Sequence, residues 1–223
     1  MHRFAKGVHP GMDTAEKLRA LQARGDVLDC CTGLGYTAIG AARSERVRSV
    51  TTIELDPLML QMQRDNPWSA ALFSEPKITR LLGDATALVR RLPADAFDCA
   101  VHDPPAQAMA VRRPAPRARA RSAPAPAACA PPGAPRRRGA PHRPGPPPPA
   151  SGSQGELYSV AFYAALRRAL RPNAVLYHYI GDPASKASGK LFRGVKERLL
   201  QAGFLQAKTD RAAHGVVATG KST

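Results

Sequence analysis

Short apolar runs bounded by glycine, proline or charge alternate along this chain with stretches in which apolar residues recur every three to four positions. The second kind predicts helices over 13–24, 36–43, 57–64, 86–92, 156–170 and 190–202. Asp13 or Thr14 is placed to cap the first helix, with Leu18 and Leu21 on one face. Pro57 suits the first turn of the third helix, and Gly203 suits the end of the last. The first kind predicts strands over 27–30, 50–54, 78–82, 97–102, 174–180, 204–209 and 215–219. Strands that alternate with helices imply an α/β domain: a mostly parallel sheet with right-handed crossovers and helices on both faces. In such a sheet a ligand sits at the carboxyl ends of the strands.

Residues 106–154 break the pattern. They hold nine arginines, thirteen prolines, no acidic residue and no period of either kind. Repeated proline removes backbone donors, and nothing in the segment can bury a face, so it is expected to be a disordered basic insertion. The α/β domain is then 1–105 together with 155–223. Three origins of the segment stay open: a disordered insertion, translated non-coding sequence, or a basic arm for RNA or acidic partners. The segment has no aromatic residue, so base stacking is not available to such an arm.

The net charge of +16 changes meaning once it is located, because the nine arginines of that segment supply more than half of it. The four cysteines, Cys30, Cys31, Cys99 and Cys129, form no C-x-x-C pair and read as reduced thiols, which argues against cysteine-held metal or disulfide chemistry. No run of eighteen apolar residues occurs, and the first residues lack the apolar centre of a signal peptide. A soluble intracellular protein, cytoplasmic by default, with no membrane partner is therefore expected.

The chemistry-bearing residues cluster at predicted strand ends. Asp29-Cys30-Cys31-Thr32-Gly33-Leu34-Gly35 joins a strand to a helix, where glycines let a ligand approach the backbone. Glu54 ends the second strand about twenty residues after those glycines, where a carboxylate accepts hydrogen bonds from ribose hydroxyls. Gly83-Asp84-Ala85 follows the third strand. Asp84 is placed to accept from an adenine amino group and Ala85 to donate a backbone N–H, or Asp84 simply caps the next helix. His102-Asp103-Pro104-Pro105 ends the fourth strand, with His102 a candidate base and Asp103 a candidate substrate contact. Tyr158, His178 and Asp182 border the same sheet edge.

Together these spacings resemble the class I S-adenosylmethionine (SAM)-dependent methyltransferases over about 26–105 and 155–219. The resemblance implies a Rossmann-like sheet and SAM as cofactor, held by Asp29, Thr32, Gly33, Gly35, Glu54, Asp84 and Ala85. The chain departs from the family's D-x-G-x-G-x-G loop by carrying Cys31 at the first glycine. NAD is the rival ligand; the missing third glycine of G-x-G-x-x-G and the presence of Gly83-Asp84-Ala85 favour SAM. Asp103-Pro104-Pro105 resembles the [D/N]-P-P-aromatic motif of amino-group methyltransferases without its aromatic, a place that Tyr158, Tyr177 or Tyr179 could fill. The chain is also similar to a mainly archaeal group of predicted methyltransferases in Met1-His2-Arg3, the loop from Leu28 to Thr37, Asn66-Pro67-Trp68-Ser69, His102 to Pro105, Gly155 to Ser159 and His178 to Pro183. That resemblance implies residues before Met1 and a short connection in place of 106–154. The expected reaction is methyl transfer to an amine-type or other nucleophile, a small amine or RNA, with Asp103 and His102 at the reaction end and Pro104, Pro105, Tyr158 and His178 lining the acceptor site. The alternatives are an aminopropyltransferase using decarboxylated SAM, and a non-catalytic SAM-fold protein with a basic nucleic-acid arm.

Overall fold

A computed structural model describes residues 9–105, 154–182 and 188–220 of the 223. The predicted disordered insertion, the Met1-His2-Arg3 motif and Pro183 lie outside the described residues. Seven strands, β1 (Gly25–Asp29), β2 (Val47–Glu54), β3 (Ile78–Leu82), β4 (Phe97–His102), β5 (Leu170–Tyr179), β6 (Gln206–Asp210) and β7 (Gly215–Thr219), form one sheet in the order β3-β2-β1-β4-β5-β7-β6. The five strands from β3 to β5 run parallel, and β7 is antiparallel to both of its neighbours. The expected Rossmann-like, mostly parallel architecture is the observed one.

The helices are α1 (Pro10–Leu21), α2 (Tyr36–Ala42), α3 (Pro57–Asp65), α4 (Ala71–Ser74), α5 (Ala85–Leu88), α6 (Val160–Ala169) and α7 (Ser188–Gln201). They bury both faces of the sheet. One core joins Leu28, Ile53, Ala100 and Leu176 to Phe162, Leu166, Val195 and Leu199, and the other joins Val27, Val50, Val101 and Tyr177 to Ala20, Leu21, Ile39 and Leu72. Burial on both faces explains why these strands read as continuous apolar runs rather than alternating ones. Register then lines up the carboxyl ends: Asp29 pairs across to Thr52 and Val101, Glu54 to Leu82, and His102 to His178.

Element boundaries differ from expectation where capping decided them. His9, not Asp13 or Thr14, caps α1: its ring accepts from the Gly11 N–H, and Pro10 occupies the first turn. This frees Asp13 for the site described below. The predicted helix 156–170 begins instead as a 3-10 turn over Gln154–Tyr158. Ser159 then caps α6 by accepting from the Phe162 N–H, and the chain is already strand at Leu170. The predicted helix 86–92 is split into α5 and a 3-10 turn over Val89–Arg91. The 3-10 turn Pro67–Ser69 and α4 were not predicted, because single-turn elements carry no period to read. No helix among the described residues is long and apolar enough to cross a membrane.

Candidate cofactor and acceptor site

The loop after β1 is built by glycine geometry and long-range props. Gly33 and Gly35 both have positive φ, +52° and +81°. They differ in what a side chain would meet. A Cβ at Gly35 would lie 2.3 Å from Leu72, which is fully buried, whereas a Cβ at Gly33 would meet nothing within 4 Å. Gly35 is therefore required by packing, and Gly33 opens onto space that a ligand can use. Glu54 at the end of β2 spans the loop: Oε2 accepts from the Gly33 N–H at 2.9 Å, and Oε1 accepts from the Asp56 N–H at 2.9 Å. A carboxylate offers about four lone-pair sites, so two remain for hydroxyl donors.

Asp29 is fully buried. The Thr52 hydroxyl donates to its Oδ2 at 2.8 Å and is itself 2.6 Å from the Thr32 hydroxyl. Burial lifts the Asp29 carboxyl to about 7, against the pull of the Thr52 bond. Asp84 caps α5, its Oδ1 accepting from both the backbone N–H and the hydroxyl of Thr86 at 2.8 Å. The capping role that the sequence left open is thus filled. Ala85 begins α5 at the same sheet end.

Three props for this loop were missed by sequence reasoning. Gln63, buried in α3, donates to the Gly33 carbonyl at 2.6 Å, and Ser69 donates to the Leu34 carbonyl at 2.7 Å. Asn66 in turn donates to Ser69 Oγ at 2.8 Å. Asn66-Pro67-Trp68-Ser69 therefore buttresses the glycine loop, a role that only the turn geometry reveals.

At the end of β4, Asp103 does not stand alone. Lys17 of α1 donates to Asp103 Oδ2 at 2.6 Å and to Asp13 Oδ2 at 2.7 Å, and its ammonium lies 4.3 Å from the centre of the Tyr179 ring. Lys17 is only 2% exposed. Burial alone would depress its pKa, but Asp103 and Asp13 outweigh that and hold it above 10.5. Sequence reasoning passed over Lys17, although it falls on the same helix face as the buried Leu21; a cation on an apolar stripe is the signal that could have found it.

The two histidines are corrections. His102 is fully buried, and its Nε2 donates to the Leu157 carbonyl at 3.0 Å. Burial pushes its pKa down to about 4, so it is neutral at pH 7 and sealed from solvent. This geometry supports a pillar that ties His102-Asp103-Pro104-Pro105 to Gly155–Ser159 rather than the expected base. His178 is also fully buried: Nδ1 donates to the Tyr179 carbonyl at 2.8 Å, and Nε2 accepts from the Tyr163 hydroxyl at 2.9 Å. With both ring nitrogens used, it has no donor or acceptor for an acceptor molecule, contrary to expectation. Tyr158, 7% exposed, packs against both imidazoles at centroid separations of 6.3 and 5.2 Å. Pro104 is buried and Pro105 exposed beside Asp103, and Asp182 is exposed at the end of the segment after β5.

Because His102 resists protonation when folded, the unfolded chain takes up its proton first, below about pH 6.5. Its contribution to stability is present at pH 7 and is lost as pH falls toward 4, by about 3 kcal/mol over that window. The raised carboxyl of Asp29 works in the opposite sense, so the comparison must isolate the histidine. The stability advantage of the native chain over His102→Gln is expected to shrink steadily from pH 7 to pH 4.5 in urea unfolding. A pH-independent difference would contradict the buried, neutral ring.

No family model matches the chain. An uncharacterized protein of Methanocaldococcus jannaschii is 36% identical over 221 residues, 98% of this chain but 60% of that protein. Putrescine N-methyltransferase 3 of Nicotiana tabacum is 31% identical over 72 residues, 32% of this chain and 19% of the relative. The crystal structure of spermidine synthase from Thermotoga maritima superposes with a TM-score of 0.59 at 13% identity, covering 95% of this chain and 60% of that one. The cyclase SpnF gives 0.50 at 15% identity, covering 88% of this chain and 58% of that one. The fold is Rossmann-like. The chain spans about 60% of the length of the archaeal relative and of the spermidine synthase.

Proposed function

We propose that this chain binds SAM at the carboxyl ends of β1, β2 and β3 and methylates an amine held at Asp103. The observation that carries the reading is the pairing of Glu54 with the N–H of Gly33, whose own side-chain position is open. That arrangement leaves carboxylate lone pairs for two ribose hydroxyls and lets the rest of a nucleoside lie close to the backbone. The residues fit the cofactor on two further counts. Asp84 keeps Oδ2 without a bond from the described residues, available to an adenine amino group. Asp29 is a buried carboxyl satisfied mainly by a hydroxyl, and a ligand ammonium would relieve the cost of ionising it.

When bound, SAM supplies the electrophilic methyl group of its sulfonium. The chain's own part is positioning: Asp103 accepts a hydrogen bond from the acceptor amine and holds its nitrogen in line, and Tyr158 and Pro104 wall the site against water. His102 acts as the pillar under this edge and moves no proton. The likeness to putrescine N-methyltransferases supports an amine as acceptor.

S-adenosylhomocysteine is expected to raise the melting temperature by ligand linkage, and NAD to leave it unchanged. A shift with NAD alone would overturn the cofactor reading. Methyl transfer from labelled SAM to polyamine, protein and tRNA pools then identifies the acceptor class. A pH dependence follows from Asp29: with its carboxyl near 7, affinity for S-adenosylhomocysteine is expected to rise about tenfold from pH 6 to pH 8, as the carboxyl ionises to meet the ligand ammonium. Calorimetry across that range should show the rise in the native chain and a flat profile in Asp29→Asn.

A further inference from the structure

A buried ammonium costs several kcal/mol in desolvation unless ideally paired, so the position of Lys17 needs a reason. The ion pairs around Asp26 and Asp98, such as Arg171 with Asp98 at 2.6 Å, sit at the opposite, amino end of the sheet, and Arg19 meets Glu16 and Asp210 from an exposed position on α1. Lys17 instead brings a cation to the reaction end of β4. There two carboxylates at 2.6 and 2.7 Å and an aromatic face at 4.3 Å surround it. Carboxylates and an aromatic face are what recognise an alkylammonium guest. The lysine side chain is itself a butylammonium group, so the cage is shaped for a slim primary amine.

A second observation concerns Tyr158, whose ring packs against that of His102, the residue before Asp103. The Tyr158 hydroxyl is more than nine-tenths buried, has no hydrogen-bond partner among the described residues and feels the charge of Asp103. Buried hydroxyls are normally satisfied, and one left over suits an incoming polar group.

We propose that Asp13, Asp103 and Tyr179 form the cage that captures the acceptor's nitrogen as an ammonium group, which must pass one proton to an Asp103 carboxylate oxygen before its freed lone pair can attack, that Lys17 fills the cage while no acceptor is present, and that acceptor binding turns the Lys17 side chain out. This rests on the reading of Asp103 as the amine holder. Lys17 is then a built-in competitor. It lowers apparent acceptor affinity by the fraction of time it occupies the cage. It also sets selectivity, because a neutral alcohol or a bulky quaternary amine cannot replace its ammonium.

The test uses n-butylammonium as probe on the full chain with saturating S-adenosylhomocysteine. Lys17→Met keeps the bulk of the stem and removes the charge; calorimetry is expected to show butylammonium binding at least about tenfold tighter than to the native chain, with 1-butanol binding neither. Asp13→Asn, at the partly exposed side of the cage, is expected to weaken the binding. In the native chain labelled with nitrogen-15 lysine, the caged Lys17 ammonium should give an NMR signal protected from exchange that disappears when butylammonium is added. Equal affinity in Lys17→Met and native chains, or continued protection of Lys17 with butylammonium bound, overturns the proposal. The NMR arm decides it even if the methionine variant fails to fold. A chain that takes butylammonium but no S-adenosylhomocysteine would sink the cofactor reading and leave the cage standing.

Discussion

Replacing Glu54 by alanine is expected to weaken S-adenosylhomocysteine binding by about two to three orders of magnitude while shifting unfolding free energy by only about 1 kcal/mol. The asymmetry follows from what Glu54 does. In the protein alone it accepts two backbone N–H bonds, from Gly33 and Asp56, at a half-exposed strand end where water can replace the lost acceptor. In the proposed complex it would also receive the ribose hydroxyls, each a hydrogen bond to a charged group worth about 1.5–3 kcal/mol. Loss of the carboxylate further loosens Gly33, whose N–H is oriented by Oε2, so the loop loses its preset geometry. Calorimetric titration of both chains, together with urea unfolding, separates the two effects. Affinity within tenfold of the native chain would remove Glu54 from the cofactor site. A loss of stability as large as the loss of binding free energy would make it a structural residue.

Gly35→Ala is expected to produce the opposite pattern, a loss of about 3 kcal/mol or more in stability that precedes any effect on binding. Two costs add. At φ +81° an L-residue sits in the left-handed region, worth about 1–2 kcal/mol. The new methyl would then lie 2.3–2.6 Å from three carbons of Leu72, a fully buried side chain in the core between α2, α4 and the sheet. Leu72 cannot retreat without opening space elsewhere in that core. Gly33→Ala is the matched control. It carries the conformational cost alone, since nothing lies within 4 Å of its Cβ, yet that methyl would project into the proposed ligand space. Thermal unfolding should rank Gly35→Ala far below Gly33→Ala, and ligand titration should rank Gly33→Ala well below the native chain. Equal stability of the two variants would contradict the packing role assigned to Gly35.

These effects rest on features that were unequally legible. The glycine loop, the carboxylate at the end of β2 and Asp103 could be read directly, because each is a local signal: an apolar run ends and a functional residue type follows at once. The order of strands and helices was legible for the same reason. The first helix was placed three residues late because a histidine cap with proline behind it competes with the more usual Asp or Thr, and only the bond from Gly11 settles which is used. His178 was singled out for the right neighbourhood, but the structure buries its ring. Polar residues at a strand end look alike in sequence whether they face a ligand or the core, and here Tyr163 of α6 meets the His178 ring.

By itself, then, the sequence determined the periodicities that make seven strands and their helices, the glycines that allow positive φ, and which acids end which strands. Those follow from the chemistry of neighbouring residues and need no partner far away. Only the tertiary structure decided that Lys17 meets Asp103 across 86 residues, that His102 is pinned to Leu157 across 55, and that Gln63 holds the Gly33 carbonyl. Burial, the protonation state that burial imposes and the identity of a hydrogen-bond partner all depend on which surfaces pack together, and packing is a property of the whole sheet rather than of any segment in it.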